Sequence, residues 1–329
     1  MGASGALSTC WVVTDGKAGM ESQCLGLAEA LGLSPVVKRV VLRTPWRQLS
    51  PYLRLGHAHA FAAEGDTLAP PWPDLLIASG RLSVAASLFV REQSRRSGHR
   101  TITVQVQDPV ISPSHFDLVI APRHDRLTGR NVISTLGALH RITPAKLAEH
   151  AEKLAAQMKE MPRPYIGVLL GGSNGAYRFG EQEMTALAAS LVSVVKANGG
   201  SLLITPSRRT GARNMAVLAS VLGDTPAFIW NGEGENPYFG ILGLADQIVV
   251  TGDSINMVSE AVATGKPVHV FELPGGSDKF IRFHAAMRER GLTHKFAGHL
   301  EPHAPGAPAD DMERASDAVR RVAAEIRGG

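Results

Sequence analysis

The feature that most constrains the fold is a repeated alternation of short apolar runs with longer segments of helical periodicity. Each apolar run ends in a turn that is rich in glycine or polar residues. Runs of this kind are typical of strands that are buried on both faces. Because strands that alternate with helices form parallel sheets covered by helices, the sequence predicts an α/β protein.

The boundaries of the predicted elements follow from this periodicity and from glycine and proline signals. The predicted strands cover residues 10–14, 36–42, 74–78, 101–106, 117–120, 165–170, 201–205, 227–230, 247–251 and 268–271. A first helix ends before Gly32, and further helices are predicted over residues 82–95, 146–159, 181–197, 211–222, 238–244, 255–264, 279–290 and 312–327. Residues 45–73 contain several prolines and are predicted to be an insertion or long loop.

The chain of 329 residues is long enough for about two domains. A proline-rich break at residues 161–164 separates the two halves. We therefore predict an N-terminal Rossmann-like domain over residues 1–160, a second over residues 161–311, and a C-terminal helix over residues 312–329. A linker at residues 301–310 precedes that helix. Two doubly wound domains that face a cleft would bind a ligand beyond the carboxyl ends of their strands.

Composition excludes several classes of protein. Lys and Arg exceed Asp and Glu by 34 to 30, an excess too small to predict a nucleic-acid partner. The two cysteines provide no disulfide framework and indicate a reducing compartment. No apolar run reaches the roughly 18 residues of a membrane span, so we predict a cytoplasmic protein and leave peripheral contact with the inner membrane open. The His, Cys and Asp residues show no metal-ligand spacing, so neither a metal nor another cofactor is expected.

The strongest local signal is the loop Gly171–Gly175, which follows a strand and precedes a helix. Glycines allow backbone N–H groups to approach a phosphate closely, and a helix N-terminus adds positive dipole character. The spacing matches neither a Walker A loop nor a dinucleotide fingerprint. Gly171, Gly172, Ser173 and Asn174 are therefore candidates for phosphate binding, with a purely structural turn as the competing interpretation.

Two more strand ends of the same predicted sheet carry groups suited to anions or hydroxyls. Arg208 and Arg209 could hold a diphosphate through bidentate hydrogen bonds, or could simply be surface arginines. Ser254 begins a helix as its N-cap, and Glu260 lies in that helix, where a carboxylate can accept hydrogen bonds from a ribose diol. A solvated helix glutamate is the competing interpretation of Glu260. Three such loops at one sheet edge favour an anion site more strongly together than singly.

These motifs resemble the GT-B glycosyltransferase that makes lipid II, the MurG type. Residues 169–176 resemble its Gly-Gly-Ser-x-Gly-Ala loop, and residues 244–267 resemble its Ala-Asp to Gly-x-Pro segment. The loop Asp15–Gly19 stands where that enzyme has its acceptor-side glycine loop. The resemblance implies a GT-B-like fold and a nucleoside-diphosphate sugar as the donor substrate.

The chain is also similar to the bacterial relatives of the plant mitochondrial-fission factor, the elongated-mitochondria (ELM1-like) family. The shared motifs are Thr14 to Gln23, Gln107-Asp108-Pro109 and Gly252 to Met257, and the similarity spans most of residues 10–290. The plant member is a recruiter of a dynamin-related protein. Membership therefore implies an alternative function, a non-catalytic recruitment or scaffold protein with the same fold.

The transferase resemblance also implies roles for individual residues. Gly171, Gly172 and Ser173 would face the phosphates, Ser254 and Ile255 would lie against them, and Glu260 would face the ribose. Asn236 and Tyr238 would form the base pocket.

The acceptor side departs from the transferase pattern, which has a histidine after the first glycines. This chain has none between Asp15 and Cys24. Asp15 is the substitute base, since a carboxylate at a strand end can take a proton from a sugar hydroxyl, and Lys17 could hold a phosphate-bearing acceptor. A turn-forming aspartate is the competing interpretation of Asp15.

We therefore expect a metal-independent glycosyltransferase that acts on an envelope-related acceptor. A nucleotide-sugar epimerase or hydrolase is a further alternative and would use Asp15 with Glu272. His140 is interpreted as a core histidine and Asp108 as a turn former.

Overall fold

The computed structural model describes residues 7–300 and 306–328, so residues 301–305 of the predicted linker lie outside the described residues. The described chain forms two compact units. The first ends at Arg141 and resumes at Asp310, and the second runs from Ile142 to Ala309. Each unit contains a parallel sheet of six strands in the described residues. The predicted α/β class with two doubly wound, Rossmann-like units is confirmed.

The elements are numbered along the described chain. The strands are β1 (Cys10–Thr14), β2 (Val36–Arg39), β3 (Leu75–Ser79), β4 (Ile102–Val106), β5 (Leu118–Pro122), β6 (Val132–Thr135), β7 (Tyr165–Leu170), β8 (Ser201–Pro206), β9 (Ala227–Ile229), β10 (Gln247–Thr251), β11 (Val268–Phe271) and β12 (His294–Lys295). The α-helices are α1 (Ala18–Ala30), α2 (Trp46–Leu49), α3 (Val84–Arg96), α4 (Pro144–Ala155), α5 (Glu181–Asn198), α6 (Ala212–Leu222), α7 (Tyr238–Leu244), α8 (Ile255–Val262), α9 (Asp278–Glu289) and α10 (Asp311–Gly328).

The sheet of the first unit has the strand order β2-β1-β3-β4-β5-β6, and every neighbouring pair is parallel. Its central strands are buried along their whole length, as their continuous apolar sequences require. The chain reverses its direction of winding between β1 and β3. The loops after these strands therefore flank the crevice in which doubly wound sheets bind ligands.

The sheet of the second unit has the strand order β12-β11-β10-β7-β8-β9 and is also parallel. Strand β7 is central, with β10 on one side and β8 on the other. Leu169 is level with Val250 of β10 and with Thr205 of β8. The three loops that the sequence singled out consequently leave the same edge of one sheet.

The second unit begins at Ile142, whereas the sequence predicted that the second domain begins at residue 161. Helix α4 packs against α7 of the second unit, where the His150 and Phe239 rings lie 5.4 Å apart. A side chain on Gly243 would meet the Leu147 carbonyl, so the two helices approach closely. The proline break at residues 161–164 therefore lies inside the second unit.

Helix α10 was predicted as a separate segment, but it belongs to the first unit. Ala315 and Val319 pack into the same core as Leu27 and Ile102. The Asp311 carboxylate accepts the Leu136 N–H at 2.7 Å. The small apolar residues of α10 thus cover the first sheet rather than the second.

His140 makes the stability of the first unit sensitive to acid. Burial lowers the pKa of this imidazole to about 4, so the folded protein holds it neutral. An unfolded histidine titrates near pH 6.5, so the unfolded state binds the extra proton between pH ~6.5 and ~4. We expect the free energy of unfolding to fall as pH falls through this window, by up to about 1.4 kcal/mol per pH unit from this residue.

Urea denaturation at pH 7 and pH 5 checks this expectation. The free energy of unfolding of His140→Asn should decrease less between pH 7 and pH 5 than that of wild type. Replacing the exposed His59 with asparagine should leave the decrease unchanged. A His140→Asn variant with the wild-type pH dependence would contradict the assignment.

Candidate functional site

A buried carboxylate organises the strand ends of the second unit. Asp253 lies in the turn between β10 and α8, and its side chain is 0% exposed. One oxygen accepts the Gly172 N–H at 3.0 Å and a guanidinium N–H of Arg209 at 2.9 Å. The other accepts the Thr251 hydroxyl at 2.7 Å. Asp253 thereby joins the loops that follow β7, β8 and β10.

Close approach to these neighbours explains the two buried glycines. A Cβ on Gly171 would lie 2.0 Å from an oxygen of Asp253, and one on Gly172 would lie 2.2 Å from the Arg209 carbonyl. The Gly171 N–H donates to the Thr251 hydroxyl at 2.8 Å. The sequence placed both N–H groups against phosphates, but in this structure protein acceptors occupy them. The physical reason is the buried carboxylate, which needs donors of its own.

Ser173 and Asn174 are exposed but also bond within the protein. The Ser173 hydroxyl accepts the Phe179 N–H at 2.8 Å. The Asn174 side-chain amide donates to the Asp253 carbonyl at 3.0 Å and accepts the Ala176 N–H at 2.8 Å. These side chains therefore shape the glycine loop, and their phosphate-binding role stays a prediction.

Arg209 is fixed in the same network. One guanidinium nitrogen donates to the Gly172 carbonyl at 2.9 Å, beside the ion pair with Asp253. The Thr210 hydroxyl donates to the Gly171 carbonyl at 2.5 Å. The loop after β8 is consequently locked onto the glycine loop.

A set of uncommitted donors remains at this sheet edge. Within residues 7–300 and 306–328, the backbone N–H groups of Ser173, Gly175 and Ile255 donate to no protein acceptor. The exposed guanidinium of Arg208 has no ion-pair partner in the same ranges. Ile255 opens α8, and the Ser254 hydroxyl caps that helix by accepting an N–H of its first turn at 3.3 Å. Free N–H groups at a helix start together with an arginine can bind an anion.

Glu260 and Tyr238 form a second cluster. The tyrosine hydroxyl donates to the Glu260 carboxylate at 2.6 Å, and Glu260 is 8% exposed. Burial, followed by the charge of Glu260, raises the pKa of Tyr238 well above its usual value, so the hydroxyl keeps its proton. Asn236 is exposed and accepts the Tyr238 N–H at 3.0 Å in the turn before α7. The predicted ribose and base residues therefore do come together.

Helix α9 and the segment that precedes it contact the residues just after the glycine loop and the turn after β10. The Gly276 N–H donates to the Ala176 carbonyl at 2.7 Å, and the Tyr177 and Phe280 rings meet edge to face at 4.9 Å. His284 bonds the Gly252 carbonyl at 2.8 Å through Nε2. Because burial lowers the pKa of His284, the ring is neutral and Nε2–H is the donor.

The predicted catalytic residues lie in the first unit. Asp15 follows β1, and its carboxylate pairs with the Lys17 ammonium at 2.5 Å. The Asp15 side chain is 9% exposed, against 62% for Lys17. The structure thus pairs these two residues with each other and places the nucleotide candidates in the other unit.

Two other acidic residues have local partners. Asp108 accepts the Val110 N–H at 2.7 Å, which agrees with its interpretation as a turn former. Glu272 pairs with Lys295 at 2.7 Å and with Arg288 at 3.4 Å. A carboxylate held by two cations is a poor candidate for the epimerase or hydrolase role given to Glu272.

The described residues contain neither a metal-binding cluster nor a membrane-spanning helix. No group of three or more His, Cys, Asp or Glu side chains within residues 7–300 and 306–328 could hold a metal ion. None of the helices in these ranges has the length and apolar character needed to span a bilayer.

Comparison with solved structures identifies the fold. The UDP-GlcNAc 2-epimerase of Methanocaldococcus jannaschii, in complex with UDP-GlcNAc and UDP, superposes with a TM-score of 0.56 at 10% identity, over 98% of this chain and 100% of that one. Staphylococcus aureus MnaA, in a co-structure with UDP, gives a TM-score of 0.54 at 13% identity and covers 97% of each chain. The chain therefore has the GT-B fold, as the sequence indicated.

Relatives in sequence define the family more narrowly. The model of the family named "Mitochondrial fission ELM1" matches residues 18–323. Mitochondrial fission protein ELM1 of Arabidopsis thaliana is 33% identical over 275 residues, and the uncharacterized protein RP120 of Rickettsia prowazekii (strain Madrid E) is 25% identical over 240 residues. The matches cover 76% and 61% of this chain, and 64% and 65% of those proteins. The chain belongs to the mitochondrial fission ELM1 family and spans just under two thirds of the length of these relatives.

Proposed function

We propose that the chain binds a nucleoside-diphosphate sugar in its second unit and transfers the sugar to an acceptor. The observation that carries this proposal is the set of uncommitted donors at one sheet edge, the N–H groups of Ser173, Gly175 and Ile255 with the Arg208 guanidinium. A diphosphate supplies acceptor oxygens that match them. The ion pair between Arg209 and Asp253 holds the loops after β8 and β10 next to the same glycine loop.

The ribose and base are assigned to the neighbouring cluster. The Glu260 carboxylate, which accepts the Tyr238 hydroxyl, would also accept a hydrogen bond from a ribose hydroxyl. Asn236 and the Tyr238 ring would contact the base. The S. aureus MnaA structure and the M. jannaschii epimerase complex named above contain UDP, which supports UDP as the first nucleotide to test.

The acceptor is assigned to the first unit. Asp15 would take the proton of an acceptor hydroxyl as that oxygen bonds to the anomeric carbon and the bond to the diphosphate breaks. The uncommitted donors would stabilise the charge on the leaving diphosphate. Lys17 would reach a phosphate on the acceptor only after it releases Asp15, with which it is paired.

Family membership favours a second candidate, a recruitment protein without turnover. The absence of a histidine between Asp15 and Cys24 in the sequence points the same way. The two candidates differ in one observable. A recruitment protein binds a partner and leaves UDP-sugars unchanged.

Phosphorus NMR of the protein with UDP-GlcNAc, with and without an envelope fraction as the acceptor source, distinguishes these functions. A transferase releases UDP only when the acceptor fraction is present. Release without it would indicate a hydrolase, and a new UDP-sugar signal would indicate an epimerase. Unchanged UDP-sugars of several kinds would overturn the transferase proposal and favour recruitment.

Asp15→Asn tests the proposed base. We expect turnover to fall about 10²–10⁴-fold, because general-base catalysis contributes this much, while UDP affinity stays unchanged. Asp317→Asn is a matched control, since this exposed aspartate lies on α10 of the same unit. Wild-type turnover in Asp15→Asn would remove Asp15 from the mechanism.

A further inference from the structure

A cationic groove lies in the first unit, and none of the site residues assigned above lines it. It encloses a cavity of about 890 Å³ between the loop of residues 52–58 and α3, and Arg100 and His115 complete its lining. A smaller cavity of about 250 Å³ adjoins it and shares Tyr52, Arg54 and His115. We call the two cavities together the arginine groove.

The groove has an excess of positive charge. Its lining contains a single acidic residue, Glu92, and five arginines: Arg54, Arg91, Arg95, Arg96 and Arg100. Glu92 pairs with two of the arginines, at 3.3 Å and 2.8 Å. Asp117 pairs with two others, at 3.4 Å and 2.7 Å. Each carboxylate can neutralise one charge, so about three guanidinium charges stay uncompensated.

Arg54 differs from the other four arginines because no carboxylate neutralises its charge in the described residues. A guanidinium N–H of Arg54 donates to Nε2 of His115 at 2.5 Å. Burial and the neighbouring guanidinium groups of Arg54 and Arg91 lower the pKa of His115. A neutral imidazole accepts the hydrogen bond and contributes no negative charge.

Large apolar side chains are exposed beside these arginines. Leu55 is 80% exposed, Tyr52 69% and Leu49 51%, and all three come from one short stretch of chain. Val110, at 46%, lines the smaller cavity. Apolar side chains at the mouth of a cationic groove are typical of surfaces that lie in the interface of an anionic bilayer.

We propose that the arginine groove binds the phosphate headgroup of an anionic phospholipid, with Leu55 and Tyr52 inserted among the acyl chains. A soluble phosphate compound would satisfy the guanidinium groups but would leave both apolar side chains in water. The bilayer satisfies both, because its phosphates lie next to hydrocarbon. The first unit thereby holds the protein on a membrane surface, and the proposal stands whether or not the second unit binds a nucleotide.

Flotation of the complete chain with vesicles tests the proposal. We expect binding to phosphatidylcholine vesicles that contain phosphatidylglycerol, little binding to phosphatidylcholine alone, and weaker binding as salt rises. A basic residue near an anionic surface strengthens binding about fivefold, so Arg54→Glu/Arg95→Glu should weaken it at least about 25-fold. Leu55→Ser should weaken it too, since it removes the inserted side chain.

The control is Arg320→Glu/Arg321→Glu, which reverses two exposed charges on α10 of the same unit and so changes the net charge by the same amount. Circular dichroism confirms that each variant is folded. If the control and the groove variant lose the same amount of vesicle binding, binding depends only on net charge, and the proposal is overturned. Wild-type binding by folded Arg54→Glu/Arg95→Glu would overturn it as well. Full displacement of the vesicles by glycerol 3-phosphate would assign the groove to a soluble phosphate compound instead.

Discussion

Asp253→Ala should lower the free energy of unfolding of the second unit by about 3 kcal/mol, the low end of the cost of breaking a buried ion pair. The variant leaves the Gly172 N–H and the Thr251 hydroxyl without their acceptor and Arg209 without its carboxylate. The low end applies because the Arg209 side chain is 41% exposed and can recover water. Urea denaturation followed by circular dichroism measures the change.

Two further variants make this result specific. Asp224 is exposed in the same unit, so Asp224→Ala should change the free energy of unfolding by less than about 0.5 kcal/mol. Asp253→Asn keeps the shape and one oxygen acceptor, so its loss should be intermediate. A loss in Asp253→Ala as small as in the control would show that Asp253 does not hold the three loops together.

Arg208→Ala should weaken UDP binding about 10-fold to 100-fold and leave stability unchanged. A hydrogen bond to a charged group contributes about 1.5–3 kcal/mol, which corresponds to that change in affinity. Arg208 has no partner in the described residues, so its removal breaks no contact of the folded protein. Calorimetric titration of UDP into wild type and variant measures the difference.

Arg290→Ala is the matched control for this titration, because Arg290 is exposed in the same unit and follows the C-terminal end of α9. Its UDP affinity should equal that of wild type. If Arg208→Ala binds UDP as tightly as the control does, the diphosphate does not contact the loop after β8.

Much of the fold could be predicted because its strands are continuous apolar runs. Strands β1, β7, β10 and β11 begin and end where the sequence indicated. Two of the four edge strands in the described residues, β6 and β12, were missed; both are short, and β12 has only two residues. The pattern of apolar residues in a sequence reveals which segments are buried. Edge strands are the least buried strands of a sheet, so their sequences carry the weakest pattern.

The division into units could not be predicted from local pattern. The proline break at residues 161–164 looks like a boundary, but α4 before it packs on α7. Helix α10 likewise returns to the first sheet after the whole second unit. Both arrangements depend on contacts between distant parts of the chain, which local sequence signals do not contain.

At the candidate site, the sequence predicted where the loops lie more accurately than it predicted what their residues contact. Gly171, Gly172 and Arg209 lie at one sheet edge as predicted. However, Gly172 and Arg209 are bonded to Asp253 and to each other, and the Gly171 N–H donates to the Thr251 hydroxyl. No functional role was assigned to Asp253 from the sequence. An aspartate directly after a buried strand, beside an N-cap serine, was the available signal, and only its burial shows that it is the centre of the network.

The most direct test of the nucleotide site is calorimetric titration of the wild-type protein with UDP and, separately, with uridine. We expect UDP to bind at one site per chain and to raise the melting temperature as its concentration rises, because it binds only the folded state. Uridine lacks the diphosphate that the uncommitted donors require, so it should bind at least about tenfold more weakly. UDP that binds no more tightly than uridine, or that neither releases heat nor shifts the melting temperature of the folded protein, would contradict the proposed site.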